Sequence, residues 1–357
     1  HVNGPIRNLL VTRPVTSQAD LDAVLNLADG TATKSNMGAN AILSVSLAWA
    51  RAQSVAKGIP LYQQFADEIG NGAPTRLPRP TVNLFSGGKH AGGQMAIQDV
   101  LITPIGTDDA AVAMEQLVAV FNAAARLCRE TYGMRLLVAD EGGLAPAFPS
   151  IETAFDDAVR AIEMAGLRPG EDIALCIDVA SSHFFDGTAY NLDGAALTAA
   201  GMIDRISGWL DRWPIVSVED GLAEDDWEHW PALRAAIGDR ALVLGDDLTT
   251  TNPARIRRAI ASEAANALLL KVNQIGTLTE AAEALRLVRD AGWAVNVSAR
   301  SGETEDNWLT DLATGWAGDQ MKVGSVTRSE RLAKWNRLLV IASETGLPLA
   351  PWPSRAG

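Results

Sequence analysis

Six apolar runs in this chain each stop at an ionic residue, and that repeat constrains the fold more than any other feature. The runs span 173–178, 215–220, 241–247, 267–271, 293–300 and 320–322; they close on Asp178, Glu219-Asp220, Asp246-Asp247, Lys271, Arg300 and Lys322. The ionic ends lie roughly 20 to 40 residues apart, about one strand plus one helix each, which is the repeat of a (β/α)8 barrel of the TIM type. Such barrels carry their chemistry where the strands end. Three acidic ends followed by three basic ones predict a metal site facing an anionic substrate.

The rest of the chain punctuates that repeat. Residues 1–76 read as helices without a strand: apolar residues at helical spacing fill 37–57, and Gly58-Ile59-Pro60 stops them. A Pro- and Gly-rich stretch, 71–80, is the linker candidate, so the expected domains are a partial helical N-terminal domain, 1–76, and a barrel, 77–357. Strands are expected at 81–85 and 97–103 around the glycine-rich loop 86–93, a long helix at 109–130, and a short strand from 136 into Asp140-Glu141-Gly142-Gly143. Asn252-Pro253 reads as a helix start, Thr277…Glu280 and Thr327…Glu330 as capping boxes, and Gly292 and Gly346 as helix stops. This alternation argues for α/β with a largely parallel sheet. A doubly wound open sheet is the alternative; no G-x-G-x-x-G follows a first strand, which counts against its dinucleotide-binding version.

Length and charge bound the function. A chain of 357 residues, 47% apolar and 20% charged, accommodates one large domain plus a smaller piece. A net charge of −13 disfavours nonspecific nucleic-acid binding. No apolar run is expected to reach the ~18 residues of a membrane span, and no membrane partner is expected. Cys128 and Cys176 lie in apolar surroundings and read as two buried thiols in a cytoplasmic setting. The start at His1 reads as a truncated or processed one.

The strand ends suggest specific chemistry. Asp178, Glu219 and Asp246 are hard oxygen ligands of the kind Mg²⁺ prefers, and three converging carboxylates without a cation would repel one another. Lys271, at the end of a buried run, is expected to have a lowered pKa and to act as a general base. Arg300 and Lys322 would hold phosphate or carboxylate oxygens. Glu141, beside two glycines, would be an acid that keeps its proton. The cluster Glu224, Asp225, Asp226 and Glu228 reads as the solvated first turn of a helix.

Several of these segments resemble enolase (phosphopyruvate hydratase). They are Gly38-Ala-Asn-Ala-Ile-Leu43, Val138-Ala-Asp-Glu-Gly-Gly-Leu-Ala-Pro146, Val218-Glu-Asp220, Leu270-Lys-Val-Asn-Gln-Ile-Gly276, Ser301-Gly-Glu-Thr-Glu-Asp306 and Arg328-Ser-Glu-Arg-Leu-Ala-Lys334. The resemblance spans nearly the whole chain. It implies a barrel with one antiparallel strand, a homodimer, and cytoplasmic, Mg²⁺-dependent dehydration of 2-phosphoglycerate, a small phosphorylated carboxylate, to phosphoenolpyruvate in glycolysis. It implies Lys271 as the base at C2 and Glu141 as the acid for the hydroxyl, with Asp178, Glu219 and Asp246 on the metal. It further implies Arg300 and Ser301 on the phosphate, Lys322 on the substrate carboxylate, and His90, Gln98 and Asp99 completing the pocket.

Three departures stand out. Ala299 replaces the histidine of the family's Ser-His-Arg-Ser, Asp99 replaces a glutamate one methylene longer, and the mobile serine loop of the family's N-terminal segment is not among these residues. They open two alternatives: a relative acting on a phosphonate-type substrate to form carboxyphosphonoenolpyruvate, and a non-catalytic protein keeping the fold. The second would have little reason to keep Asp178, Glu219, Asp246 and Lys271 together.

Overall fold

The structure is a computed structural model, and it describes residues 1–135 and 137–353. Among the described residues there are ten strands: β1 (Arg79–Ser86), β2 (Asp99–Pro104), β3 (Ile173–Asp178), β4 (Tyr190–Leu192), β5 (Ala195–Leu197), β6 (Ile215–Glu219), β7 (Leu242–Gly245), β8 (Ala267–Leu270), β9 (Ala294–Ser298) and β10 (Gln320–Lys322). Four helices precede them: α1 (Arg7–Thr12), α2 (Gln18–Asp29), α3 (Ala39–Lys57) and α4 (Leu61–Ile69). Nine more surround the strands: α5 (Ala110–Tyr132), α6 (Ile151–Met164), α7 (Ala199–Arg212), α8 (Trp230–Ile237), α9 (Pro253–Ala261), α10 (Val272–Ile275), α11 (Leu278–Asp290), α12 (Trp308–Gly315) and α13 (Ser329–Thr345).

Eight strands close into a barrel in the order β1-β10-β9-β8-β7-β6-β3-β2, and β4-β5 form a separate hairpin. β2 runs antiparallel to both β1 and β3, and the other barrel pairs are parallel. The expected α/β class and single reversed strand are therefore present. The reversal matters for the site, because it brings the start of β2, with Asp99, to the rim where its parallel neighbours end. Asp99 pairs in register with Asp178, and Asp178 with Glu219.

Helix ends follow local chemistry. Asn252 accepts from the amides of Ala254 and Arg255, and Thr277 accepts from Glu280 N. Gly292 and Gly346 take positive φ at 74° and 66°, where a side chain would be strained. The N-terminal helices bury a small core of Ile6, Leu21, Leu25, Met37 and Ile42. They join the barrel through a polar seam: Asp22 accepts from Thr279 N at 2.9 Å, and Lys34 pairs with Glu280 at 2.9 Å.

Four expectations need correction. The strand from 136 begins outside the described residues, and Val138 makes only an isolated bridge to Leu144, because the chain turns at once through Gly142 (φ 90°). Thr327 does not cap α13; its hydroxyl donates to Gly142 O at 2.7 Å, and Arg328 sits at the helix start. The acids at 224–228 lie in turns ahead of α8 rather than in its first turn, and Asp226 accepts from Tyr190 Oη at 2.7 Å. Finally, α5, with 23 residues, is long and apolar enough by length and composition to cross a membrane. Half of that apolar window is buried inside the protein, and the helix packs on β1, β2, α6 and α13, so its composition reflects a barrel-facing stripe.

The packing and burial described here have measurable consequences. A Cβ on Gly315 would lie 2.3 Å from Tyr62 O, so α12 approaches α4 closely only because that residue is glycine. Gly315→Ala should cost about 1–3 kcal/mol by overpacking. Gly208→Ala, in mid-α7 with nothing within 4 Å, should be neutral or stabilising. Urea midpoints check both, and equal effects would contradict the packing. Burial lifts the Glu68 carboxyl from its ordinary 4.5 to about 7. The folded state then binds this proton more tightly than the unfolded one, so stability falls as pH rises from about 4.5 to about 7. Glu68→Gln should therefore be the more stable protein above pH 7 and lose that advantage in acid; a pH-independent difference would contradict this.

Candidate active site

The barrel rim gathers the predicted residues into two halves. Asp178 and Glu219 are the last residues of β3 and β6, Asp246 directly follows β7, and these three strands are neighbours in the barrel. Lys271 directly follows β8, Lys322 closes β10, and Gln98 directly precedes β2. The other half comprises Asp99 at the start of β2, His90 in the β1–β2 connection, Glu141 after the Val138 bridge, and Ser301 beyond β9. Arg300 lies beside Ser301, exposed, with Nη1 donating to Asn273 Oδ1 at 3.2 Å.

In the acidic half, two lysines supply the counter-charge. Lys322 Nζ donates to Asp178 Oδ2 at 2.8 Å and to both Glu219 oxygens at 2.9 and 2.8 Å. Lys271 Nζ contacts Asp246 Oδ2, whose other oxygen accepts from Gln274 Nε2 at 2.8 Å. Gln98 Nε2 donates to Asp178 Oδ2 at 2.9 Å. The three acids and Lys322 are buried, Lys271 nearly so, and Gln98 and Gln274 half-buried. Burial works against the Asp178 charge, but Lys322 prevails and holds that carboxyl below the usual range. Burial, then Asp178, push Glu219 well above it, and Asp246 adds to the push. The three acids thus share one field.

Two electrostatic expectations reverse. Burial does lower the Lys271 pKa, but the Asp246 and Glu219 carboxylates outweigh it and hold the ammonium above the ordinary range. Burial favours a proton on Glu141, yet His90, Lys322 and Arg331 bring that carboxyl below its usual value, so it is ionised rather than protonated. Lys322, expected on the substrate, is seated between Asp178 and Glu219. The common reason is that a buried charge finds the nearest opposite charge, and here lysines and acids face each other directly.

The other half is a hydrogen-bonded chain. His90 Nδ1 lies 3.3 Å from Asp99 Oδ2, and His90 Nε2 lies 3.1 Å from Ser301 Oγ. Ser301 Oγ donates to Glu141 Oε1 at 2.9 Å, and Asn83 Nδ2 donates to Glu141 Oε2 at 3.1 Å. Asp99 also accepts from Ser86 Oγ. The shorter acid therefore still reaches the histidine. Burial lowers the His90 pKa, but Asp99 and Glu141 more than restore it, leaving a raised value. Ala299 is buried and places a methyl where the family pattern has an imidazole.

Some site residues were not legible as such. Asp220, at φ 43°, accepts from the amides of Asp246 at 3.0 Å and Asp247 at 2.8 Å, and so fixes the turn that presents Asp246. Its signal was the tandem Glu219-Asp220, which reads only as a strand end. Asn83 carried no signal, being a single polar residue within an ordinary run, while Ser86 and Gln274 lay inside the glycine-rich loop and the 270–276 motif without being singled out.

The donor set fits a hard divalent cation: all oxygen, three carboxylates on adjacent strand ends, their charge matched only by ammonium groups. Among the described residues, two groups of three have tips within 4.8 Å of one another, His90-Asp99-Glu141 and Asp220-Asp246-Asp247, and the expected trio Asp178, Glu219 and Asp246 does not form such a group. In the first, Ser301 and Asn83 engage Glu141 and Ser301 engages His90 Nε2, while His90 Nδ1 and Asp99 Oδ2, 3.3 Å apart, have no hydrogen-bond partner among the described residues; in the second, Asp220 spends both oxygens on backbone amides.

Comparison with known proteins agrees with this arrangement. Residues 1–65 match the family described as "Enolase, N-terminal domain", and residues 74–349 match "Enolase, C-terminal TIM barrel domain". Enolase 1 of Methylococcus capsulatus (strain Bath) is 44% identical over 332 residues, covering 92% of this chain and 78% of that protein. With its reversed second strand, its rim of acids and lysines and these matches along its length, the chain belongs to the enolase family of phosphopyruvate hydratase-like lyases.

Proposed function

We propose that the protein dehydrates 2-phospho-D-glycerate to phosphoenolpyruvate with Mg²⁺, as a cytoplasmic, homodimeric enzyme of glycolysis. The observation that carries this reading is the convergence of Asp178, Glu219 and Asp246 with Lys271 and Lys322 on one face of the barrel mouth. Family membership supports the substrate class; the assembly and the setting are what the resemblance implies. Asp178, Glu219 and Asp246 would hold the ion, which when bound supplies positive charge to the substrate carboxylate as C2 loses its proton.

The chain's own groups do the rest. Lys271 takes the C2 proton. It must first lose its own, and Asp246 is the strongest of the groups that hold it charged. Were Asp246 and Glu219 committed to a cation, burial and the neighbouring Lys322 charge would lower its pKa toward a working base. Lys322, relieved of Asp178 and Glu219 in the same way, meets the substrate carboxylate. Glu141, ionised as it stands, takes a proton from His90 through Ser301, to which it is linked, and passes it to the departing hydroxyl. Arg300 and Ser301 hold the phosphate; Gln98 and Asp99 orient Asp178 and His90.

Ala299 and Asp99 favour one second reading, a phosphonate-type substrate, since position 299, beside Arg300, carries a methyl where the family pattern has an imidazole. Turnover of 2-phosphoglycerate by the full protein decides between them: ordinary turnover sinks the phosphonate reading, and no phosphoenolpyruvate sinks the first. Lys271→Ala should cut phosphoenolpyruvate formation by about 10²–10⁴-fold while metal binding persists. Saturating Mg²⁺ should raise the melting temperature of the wild type and not of Asp246→Ala. A wild type indifferent to Mg²⁺ would favour the non-catalytic alternative.

A further inference from the structure

Helix α13 carries two cations that the reaction does not use, three residues apart and both fully buried: Arg331 and Lys334. Charged groups so placed are strongly destabilising unless close partners satisfy them. An apolar residue would suit a helix packed on the barrel better, so their contacts carry the information. Arg331 Nη1 donates to Arg300 O at 2.8 Å, and Nη2 donates to Ser301 O at 2.6 Å. Lys334 Nζ donates to Thr304 O at 2.5 Å and pairs with Glu303 Oε2 at 3.0 Å. Glu303 Oε1 in turn accepts from Arg300 N at 3.1 Å. All of these bonds end on the segment 300–304; Arg331 makes only longer contacts elsewhere, Nη1 to Val323 O at 3.4 Å and Nε to Glu330 Oε1 at 3.6 Å.

The same helix face reaches the acid side of the site. Gly324 passes between Arg331 and the main chain of Glu141; a Cβ there would lie 2.6 Å from Arg331 Cδ and 2.7 Å from Glu141 O. Trp335 Nε1 donates to Ser325 O at 3.0 Å, and Ser325 N donates to Glu141 O at 2.9 Å. One helix turn therefore fixes two loops that meet at the Ser301–Glu141 hydrogen bond.

We infer that Arg331 and Lys334 are positioning residues, gripping the main chain of 300–304 so that the Arg300 and Ser301 side chains are held ready for the substrate phosphate. The inference rests on the reading of Arg300 and Ser301 given above and goes beyond it by assigning what holds them. The carbonyls of Arg300 and Ser301 face the clamp, which leaves their side chains to the mouth. Lysine at 331 would reach one carbonyl but lacks the planar fork that spans two.

The test uses the full chain as wild type, Arg331→Met, Arg331→Lys and Lys334→Met. Amide exchange across 300–304 should quicken at least tenfold in Arg331→Met and Lys334→Met, with β9 unchanged as the internal reference. Affinity for inorganic phosphate in the presence of Mg²⁺ should fall at least tenfold, with Arg331→Lys between wild type and Arg331→Met. Mg²⁺-induced stabilisation should stay at the wild-type level in all of them. Unchanged exchange at 300–304 overturns the clamp, and so does equal acceleration of β9, which marks general loosening. If Arg331→Met does not fold, Arg331→Lys decides by the same readouts. Wild type that binds no phosphate overturns the phosphate reading of Arg300 and Ser301 itself, while the exchange data still decide whether the clamp exists.

Discussion

Buried carboxylates at the ends of adjacent strands need positive charge, and the rest of this molecule is arranged around that need. The parallel strands β3 and β6 put Asp178 and Glu219 in register, so their repulsion is built into the sheet rather than left to side-chain choice. The stress shows as a Glu219 carboxyl pushed far above its usual range by burial and by Asp178. Lys322 and Lys271 relieve it from across the mouth. A site whose charge is already balanced by two ammonium groups is one in which a dication can take over the acids and free both amines for a substrate.

The architecture serves the same end. A purely parallel barrel would bring only strand ends to this rim. Reversing β2 adds a strand beginning, and with it Gln98 and Asp99, to the same rim. The result is a mouth divided into a half of acids and lysines and a half of hydrogen-bonded acid, imidazole and hydroxyl. Two such halves, facing each other, suit the removal of a proton from one carbon and the departure of a hydroxyl from the next.

Much of this was legible in the amino-acid sequence, for identifiable reasons. Strand ends such as Asp178, Glu219 and Lys322 stood out because an ionic residue closing a buried run has no packing rationale. Charge states were not legible: Lys271 was expected to be lowered and Glu141 to be protonated, but both depend on which opposite charge lies nearest across the barrel, which linear order does not encode. The Thr327 hydroxyl failed as a cap because a tertiary acceptor, Gly142 O, competed for it. Arg331 and Lys334 were hidden inside a helical motif where charged residues ordinarily face water, and their burial comes from how α13 lies on the barrel.

A structure determined with Mg²⁺ and substrate bound tests the exchange of charges at this mouth most directly. The prediction is one ion with Asp178, Glu219 and Asp246 oxygens at about 2.0–2.1 Å, with Lys322 and Lys271 turned from these acids to the substrate. An ion seated instead among His90, Asp99 and Glu141, or Lys322 still lodged between Asp178 and Glu219, would contradict it.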